Sequence, residues 1–342
     1  MKKTTKISVP QTHSGFVAII GPTNAGKSTL LNQIMGRKVS IVSHKVQTTR
    51  TRIRTVKMID DVQLIFVDTP GVFKPARRLD RAMVAAAMDS IGDADAVLLL
   101  VDATHGVTPT IKQIIEKLKT KFPSFGGVSP TGDGVVYPTS ETSVNHPASH
   151  PLGTPPKEGN LFAVLNKTDA VKKADLLPIA AELAQLAPFR EIFMASALRG
   201  DGLEKMMQTL AAVMPESPYL FDAADATDVP DELYLAELTR EKIYKFVHQE
   251  LPYHIHVVTE KVETAPDGVL EIYQKIVVNS ENHKKIVIGR GGAQLEQIGT
   301  AARHDIQAQW GVNARLHLFV RVEPDWENKR ENYEEQGLEF KK

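Results

Sequence analysis

The stretch Phe16-Val-Ala-Ile-Ile-Gly21-Pro-Thr-Asn-Ala-Gly26-Lys27-Ser28 decides the fold of the first part of the chain. Its residues 21–28 match the pattern G-x-x-x-x-G-K-[ST]; an apolar, strand-like run precedes them and helical spacing follows. Glycines let the backbone wrap a phosphate, while the amides and the helix N-terminus supply positive potential. The stretch therefore predicts a phosphate-binding loop in which Lys27 neutralises the β- and γ-phosphates and Ser28 holds Mg²⁺.

Alternating strand and helix patterns extend outward from this loop. The apolar runs are continuous, which is typical of parallel strands that helices cover on both faces. The predicted strands lie at 16–20, 62–67, 96–101, 161–165 and 192–194, and the helices at 27–35, 109–121, 173–187 and 203–214. This alternation predicts an α/β domain built on a doubly wound, mainly parallel sheet.

The other segments differ in composition. Residues 122–160 are rich in Pro, Gly, Ser and Thr. Such a stretch cannot bury enough apolar area to offset the entropy lost on ordering, so it predicts a disordered surface insertion. The insertion lies within a domain that spans residues 15–214. An acidic, proline-marked stretch at 215–230 predicts a linker. Residues 231–323 follow the order α-β-β-α-α-β, which indicates a smaller α+β domain. Residues 1–14 and 324–342 remain as tails, and the charged second tail is expected to fray.

Composition limits the function. The 342 residues predict two domains, with 42% hydrophobic and 24% charged residues as in a globular protein. No apolar run is long enough for a membrane-spanning helix or, near the N-terminus, for a signal peptide. Cysteine is absent, which excludes disulfides and thiolate chemistry and fits a reducing cytoplasm. Since the net charge is zero, any nucleic-acid site must be a local patch.

Three later motifs follow predicted strands, and together they indicate which nucleotide is bound. Asp68-Thr-Pro-Gly71 can present a carboxylate to Mg²⁺ and an amide to the γ-phosphate. In Asn166-Lys-Thr-Asp169, a carboxylate can accept two hydrogen bonds from guanine, whereas adenine would leave it desolvated and unpaired. Ser196-Ala-Leu198 can offer a backbone N–H to guanine O6. The strand ends of a doubly wound sheet bind ligands, so these motifs together predict a GTP/GDP site.

The predicted nucleotide contacts are Gly21, Pro22, Thr23, Asn24, Ala25, Gly26, Lys27, Ser28, Asp68, Thr69, Pro70, Gly71, Val72, Asn166, Lys167, Thr168, Asp169, Ser196, Ala197 and Leu198. This set resembles the Ras-like, translation-factor class of GTPases. Within that resemblance, residues 47–50 (Gln-Thr-Thr-Arg) match the switch I segment, which implies that Thr49 ligates Mg²⁺ together with Ser28 and Asp68. The catalytic set is then Lys27, Thr49, Gly71 and Asn24.

Val72 departs from the Ras pattern, in which the residue after Asp-x-x-Gly is a glutamine that orients water. A valine cannot make that hydrogen bond, so hydrolysis is expected to be slow without RNA or potassium. Related GTPases with an Asn at position 24 use it to hold K⁺ against the phosphates, where the ion can act as a fixed positive charge. Potassium-stimulated hydrolysis is the hypothesis, and a purely structural Asn24 is the alternative.

A second glycine-rich turn indicates RNA binding. Residues 287–292 read Val-Ile-Gly-Arg-Gly-Gly between two helical stretches, where glycines would let a nucleotide backbone approach, as in KH domains. Between 282 and 322, six basic residues stand against two acidic ones, which favours single-stranded RNA as the partner. The predicted RNA contacts are Lys284, Lys285, Ile288, Gly289, Arg290, Gly291 and Gly292. His254, His256, Trp310 and Trp326 are interpreted as packing or surface residues.

The Asn-bearing P-loop, the three later motifs and the C-terminal Gly-x-x-Gly together resemble the bacterial Era family of GTPases. Residues 90–93 (Ser-Ile-Gly-Asp) and 250–253 (Glu-Leu-Pro-Tyr) are further matches. The resemblance implies a GTPase domain and a type II KH domain that act on the 3′ end of small-subunit ribosomal RNA during maturation of the small ribosomal subunit. It also implies a monomer in the cytoplasm with peripheral association at the inner membrane.

Two other classes of function remain open at this point. One is a GTPase of another branch, in tRNA modification or iron transport, although neither an added catalytic domain nor membrane spans are visible. The other is a non-enzymatic RNA-binding assembly factor that uses the nucleotide only structurally, which Val72 keeps open. In the enzyme reading, GTP with Mg²⁺ orders the segments at 37–50 and 72–81 and biases the KH domain, so GTP and RNA should reinforce each other's binding.

Overall fold

The computed structural model describes residues 12–43, 53–72, 75, 78–92, 94–121, 160–222, 227–247, 251–334, 338 and 340. The first part of the chain contains β1 (His13–Ile20), α1 (Lys27–Met35), β2 (Ile53–Ile59), β3 (Val62–Asp68), α2 (Arg78–Gly92), β4 (Ala96–Asp102), α3 (Pro109–Lys121), β5 (Leu161–Asn166), α4 (Lys173–Leu186), β6 (Glu191–Met194) and α5 (Leu203–Ala211). The strands form one sheet in the order β2-β3-β1-β4-β5-β6, with β2 antiparallel to β3 and the others parallel. The predicted doubly wound, mainly parallel sheet is confirmed.

Two hydrophobic cores cover the two faces of this sheet. Successive residues of β1 point to opposite faces, as strand geometry requires. Ile20 packs with helices α2, α3 and α4, whereas Ile19 packs with α1 and α5. Because both faces are buried, the strands need no polar alternation, and the parallel arrangement brings the carboxyl ends of β1, β3, β4, β5 and β6 to one edge.

The second part is an α+β unit in the predicted order. It contains α6 (Asp231–Phe246), β7 (Ile255–Thr264), β8 (Leu270–Val278), α7 (Glu281–Ile288), α8 (Ala293–Trp310) and β9 (Ala314–Val322). Strand β8 lies in the centre, antiparallel to β7 and parallel to β9. Ile243 of α6, Val287 of α7 and Ile298 of α8 pack on one face of this sheet with Ile276 of β8. The predicted α+β fold with the KH order of elements is confirmed.

Residues 325–334 of the C-terminal tail, which was expected to fray, are folded. Residues Trp326–Asn328 form a 3₁₀ turn, and helix α9 (Arg330–Glu334) follows. Trp326 and Tyr333 are buried against Leu79 and Met83 of α2 and Val277 of β8. The high charge of this segment suggested exposure, but its few large apolar side chains bury enough surface to hold it between the two domains.

Several elements differ from the sequence expectations. Strand β2 and helix α2 were not predicted, and α6 ends at Phe246 rather than at residue 250. Part of the expected linker is bound to the first domain, since the buried side chain of Gln63 accepts the N–H of Leu220 at 2.9 Å and donates to the carbonyl of Phe221 at 2.9 Å.

Some predictions lie outside the described residues: Thr49, residues 122–159 of the predicted insertion at 122–160, and the first eleven residues of the N-terminal tail. The last residue of that insertion, Asn160, is buried and donates to the carbonyl of Asp95 at 3.0 Å. Residues 13 and 14 of that predicted tail already belong to β1. In the described part of the chain, none of the helices is long and apolar enough to span a lipid bilayer.

Candidate functional site

The loop between β1 and α1 carries a buried lysine. The Nζ atom of Lys27 donates hydrogen bonds to the carbonyls of Gly21 at 3.2 Å and Pro22 at 2.9 Å. Burial lowers the pKa of Lys27 to about 8, although the nearby carboxylate of Asp68 opposes this shift. A bound phosphate would offer Nζ a better partner than two carbonyls, since charge-assisted hydrogen bonds are the stronger ones.

The glycines of the site are required by close contacts. A Cβ atom on Gly26 would lie 2.3 Å from Nδ2 of Asn166, and one on Gly71 would lie 2.8 Å from Cγ2 of Thr23. Gly26 also has a left-handed backbone, with φ 95°. These contacts bring the loop against the ends of β3 and β5, which leaves a cleft lined by residues 23, 24, 26–29, 41–43 and 71.

Asp68 at the end of β3 is fully buried and collects hydroxyl groups. Its Oδ2 atom accepts hydrogen bonds from Ser28 Oγ at 3.3 Å and from Ser40 Oγ at 3.0 Å. A carboxylate and a hydroxyl are oxygen ligands of the kind that Mg²⁺ prefers, so Ser28 and Asp68 fit this ion. The hydroxyl of Thr69 donates to the carbonyl of Ile19 at 2.8 Å, which gives that threonine a structural role in the loop.

Val72 directly follows Gly71, which lines the cleft. Its N–H donates to the carbonyl of Gly21 at 3.0 Å, and its side chain is buried in the core beneath α2. The side chain therefore cannot orient a water molecule, as the sequence indicated.

The residues predicted to bind the base lie together at the ends of β5 and β6. Asn166 donates from Nδ2 to the carbonyl of Ala25 at 2.8 Å and accepts the N–H of Ala197 at 2.9 Å, so it ties the P-loop to the loop after β6. Asp169 accepts a hydrogen bond from Ser196 Oγ at 2.6 Å, which holds the pKa of its carboxyl below the ordinary value. Leu198, in the loop after β6, is 73% exposed.

Lys167 has a left-handed backbone, with φ 64°, and its Nζ atom lies 2.6 Å from Oδ2 of Asp102. This ion pair fixes the lysine side chain between the ends of β4 and β5, where the sequence predicts that it lies along the plane of a base. Burial raises the pKa of Asp102, but hydrogen bonds from Lys167 and Thr104 lower it by more.

The structure thus brings the four predicted nucleotide motifs together through direct contacts. Sequence reasoning missed Asn32, Ser40 and Asp102, which support the site. Asn32 accepts the N–H groups of Val39 and Ser40, Ser40 donates to Asp68, and Asp102 pairs with Lys167. Asp102 carried a usable signal, because it ends a buried strand as Asp68 does. The other two have no spacing pattern of their own.

The second glycine-rich turn joins α7 to α8. Gly289, Gly291 and Gly292 all have positive φ, at 73°, 63° and 86°. A Cβ atom on Gly289 would lie 2.6 Å from Cβ of Gln294, whereas nothing lies within 4 Å of one on Gly291 or Gly292. The two helix ends therefore meet at Gly289, and the outer side of the turn is open to a ligand.

The charges around this turn are fewer than the sequence count indicated. Lys285 and Arg290 are exposed and Lys284 is half-buried. Arg315, however, pairs with Glu271 at 2.6 Å and Asp267 at 2.7 Å, so it is not available to a phosphate. Of the isoleucines near the turn, Ile298 belongs to the core, whereas Ile286 is 45% exposed.

The histidines and tryptophans have packing roles. Nδ1 of His254 lies 2.7 Å from Glu327, and the ring of His256 stacks on Trp326 with 5.3 Å between centroids. Trp310 packs on Tyr234. Over the described ranges, no three His, Asp or Glu side chains are grouped as a metal site would require.

Comparisons with known proteins agree with this geometry. The model of the 50S ribosome-binding GTPase family matches residues 16–125, and that of the KH domain matches residues 250–327. GTPase Era of Mesorhizobium japonicum is 43% identical over 97% of this chain and 95% of its own length. GTPase Era of Sinorhizobium medicae is 42% identical over 99% of this chain and 97% of its own.

Solved structures agree as well. A crystal structure of Era in complex with MgGDPNP and nucleotides 1506–1542 of 16S ribosomal RNA has a TM-score of 0.80 and 33% identity, covering 95% of this chain and 99% of that one. A variant of Aquifex aeolicus Era bound to GDP and AlF₄⁻ has the same values.

Fold and site together define a P-loop GTPase with a C-terminal KH domain. The sequence similarity extends over nearly the whole chain of each relative. The chain belongs to the Era family of GTPases, as the sequence motifs indicated.

Proposed function

We propose that this GTPase binds the 3′ segment of small-subunit ribosomal RNA through its KH domain and assists assembly of the small ribosomal subunit. The observation that carries the proposal is the open outer side of the Gly289–Gly292 turn, beside exposed Lys285 and Arg290. The solved Era complex contains a 16S segment, which supports the same partner for this chain.

In the proposed mechanism, the P-loop amides and Lys27 bind the phosphates, while Asp169 accepts two hydrogen bonds from guanine. Ser28, Asp68 and Thr49 hold Mg²⁺, which when bound neutralises charge on the β- and γ-phosphates. The amide of Gly71 meets the γ-phosphate. Val72 provides no hydrogen bond to water, so the attacking water must be positioned by another group.

Asn24 is proposed to hold K⁺ beside the phosphates. Its backbone is left-handed, with φ 62°, and it lines the cleft next to Lys27. A cation there would stabilise the charge of the transition state. Turnover should therefore be faster in potassium than in sodium buffer, and this difference should disappear in Asn24→Ala. Equal turnover of the unmodified protein in both buffers would contradict the role of potassium.

The proposed RNA contacts are Lys284, Lys285, Ile288, Gly289, Arg290, Gly291 and Gly292. A single strand can lie along the open side of the turn, with its phosphates near the basic side chains and its bases toward the apolar surface. Bound RNA and bound GTP should reinforce each other. The measurement is GTP affinity and turnover with and without a pyrimidine-containing single strand, and no change in either would remove the coupling.

The ribosomal assignment is tested by crosslinking the protein to RNA in cell lysate and mapping the crosslinks. Enrichment at the 3′ end of small-subunit ribosomal RNA is expected, and crosslinks spread evenly over other RNAs would contradict it. Phosphate release measured with RNA and potassium distinguishes a cycling enzyme from an assembly factor that holds nucleotide without turnover.

A cytoplasmic monomer with peripheral inner-membrane contact completes the proposal, by family resemblance. Sedimentation of the full chain tests the monomer. Flotation with vesicles of anionic and neutral lipids tests the membrane contact, and absence of the protein from both floating fractions would remove it.

A further inference from the structure

Residues 38–43, which follow α1, contact the GTPase domain on one side and the KH domain on the other. On the GTPase side, Oδ1 of Asn32 accepts the N–H groups of Val39 at 2.8 Å and Ser40 at 2.9 Å. Ser40 in turn donates to Asp68 at 3.0 Å. Ile41, Val42 and Ser43 line the nucleotide cleft. Movement of this segment would therefore change the metal-binding end of the site.

The KH domain binds the other side of the same segment. Ile41 is 1% exposed and packs with Leu235 and Leu238 of α6, Ile272 of β8 and Ile306 of α8. A side chain of the GTPase domain thus completes part of the KH core. The N–H of Val42 donates to Oε1 of Glu241 at 3.0 Å, which fixes the backbone next to the cleft.

Four charged side chains surround this contact. Lys38 lies 2.5 Å from Glu241 and 3.1 Å from Asp305, and Lys242 pairs with both carboxylates. The hydroxyl of Tyr234 donates to the carbonyl of Lys38 at 2.6 Å. Two cations and two anions balance, and all four side chains are at most 27% exposed. Removing one partner of such a group leaves a charge poorly compensated, unlike at an exposed pair.

The surroundings of Glu241 favour the ionised form of its carboxyl group. Burial raises the pKa of its carboxyl, but the hydrogen bonds and charges of Lys38, the N–H of Val42 and Lys242 lower it by more, so the net pKa lies below the ordinary value. Glu241 is therefore ionised at neutral pH.

We propose that Glu241, a residue of the KH domain, is a positioning residue for GTP hydrolysis. By holding Lys38 and the backbone of Val42, it keeps Ser40 on Asp68 and fixes the chain at residue 43. Asp68 is one of the residues proposed to hold Mg²⁺, so a shift of Ser40 would displace a carboxylate that hydrolysis requires in place. A misplacement of about 1 Å can slow an enzymatic step about 100-fold, whereas nucleotide affinity is shared among many other contacts. GDP affinity is therefore expected to change little when the contact with Glu241 is lost.

The test compares Glu241→Gln with Glu271→Gln in the full chain without RNA. Glu271 is a matched control, because it is also a KH carboxylate in ion pairs, but its partners Arg315 and His317 both belong to the KH domain. In Glu241→Gln, single-turnover GTP hydrolysis should fall about tenfold, with GDP affinity unchanged within about twofold. Glu271→Gln should leave both values as they are.

A double-mutant cycle tests the path of the effect. Lys38→Met, which changes the partner on the GTPase side, should slow hydrolysis similarly, and the double variant should be no slower than either single one. The Lys38 variant also gives the same test if Glu241→Gln folds poorly. A lowered melting temperature with unchanged hydrolysis, or an equal loss of GTP and GDP affinity, would overturn the proposal. Neither result would bear on RNA binding.

Discussion

The molecule contains two glycine-rich turns that precede helices, and they differ in what requires the glycine. In the P-loop, the protein itself occupies the space that a Cβ atom would need, since Asn166 lies against Gly26. In the KH turn, Gly291 and Gly292 face open space and have only their positive φ in common with Gly26.

This difference teaches how each site is prepared for its ligand. The phosphate site is built before the nucleotide arrives, because its backbone is fixed by buried partners. In the KH turn, the side of Gly291 and Gly292 is instead open, and a ligand would supply the contacts that the protein does not make there. We therefore expect the two turns to respond differently to added side chains, to pH and to salt.

The largest difference should come from adding one methyl group to each turn. Gly26→Ala should weaken GDP binding more than about 100-fold, because a Cβ at this left-handed position would also displace Asn166 from its hydrogen bonds. Gly291→Ala should cost only about 1 kcal/mol of folding stability, for the left-handed backbone. Titration with a fluorescent GDP and thermal unfolding measure the two effects. Equal losses of GDP affinity would show that the turns do not differ in this way.

The next effect concerns the base. Asp169→Asn should reduce GTP affinity about 100-fold, because the amide can no longer accept both hydrogen bonds from guanine. The variant should gain affinity for xanthosine triphosphate, whose donor and acceptor pattern fits the amide. RNA affinity in the absence of nucleotide should not change, which is the control on the KH side. Survival of the guanine preference would refute the assigned base contact.

A smaller effect follows from the buried charge of Lys27. Its pKa of about 8 in the free protein should rise when a triphosphate binds beside it. Below pH 8 the lysine is already protonated, and above pH 8 binding must take up a proton. GTP affinity should then fall by up to about tenfold between pH 7 and pH 9. Calorimetry at pH 8.5 in two buffers of different ionisation enthalpy measures the uptake, and identical heats would contradict it.

The smallest effect should be at the exposed KH charges. Arg290→Ala should weaken single-stranded RNA binding by about 1 kcal/mol and lower the slope of log affinity against log salt by about 0.7, because one phosphate contact is lost. Arg315→Ala is the matched control, since that residue already pairs with Glu271 and Asp267. The same change of slope in both variants would mean that Arg290 has no special position.

Sequence predicted the continuously apolar strands of the first sheet but missed its edge strand β2 and the helix α2. The strand containing residues 96–101 is continuously apolar and was evident. Strand β2 lies at the edge of the sheet, where Arg54 and Lys57 interrupt the apolar pattern. Helix α2 lacks glycine and proline until Gly92 and is rich in helix-favouring residues, so its composition alone indicates a helix.

The same limit applies to the site. The P-loop and the motifs around Asp68 and Asp169 are defined by local spacing, which a sequence displays directly. The partners of Asp102 and Glu241 lie 65 and 203 residues away, at Lys167 and Lys38. No periodicity connects residues at such separations, so only the folded chain could reveal them.

The burial of Trp326 and Tyr333 against α2 has a consequence for how the protein is made. The apolar face of α2, with Leu79 and Met83, is synthesised early but is covered by side chains that follow the last KH strand. Since domains fold in order as the chain emerges, the GTPase domain can be complete while this face still lacks its cover. A nascent chain therefore exposes the apolar face of α2 until Trp326 and Tyr333 have been synthesised.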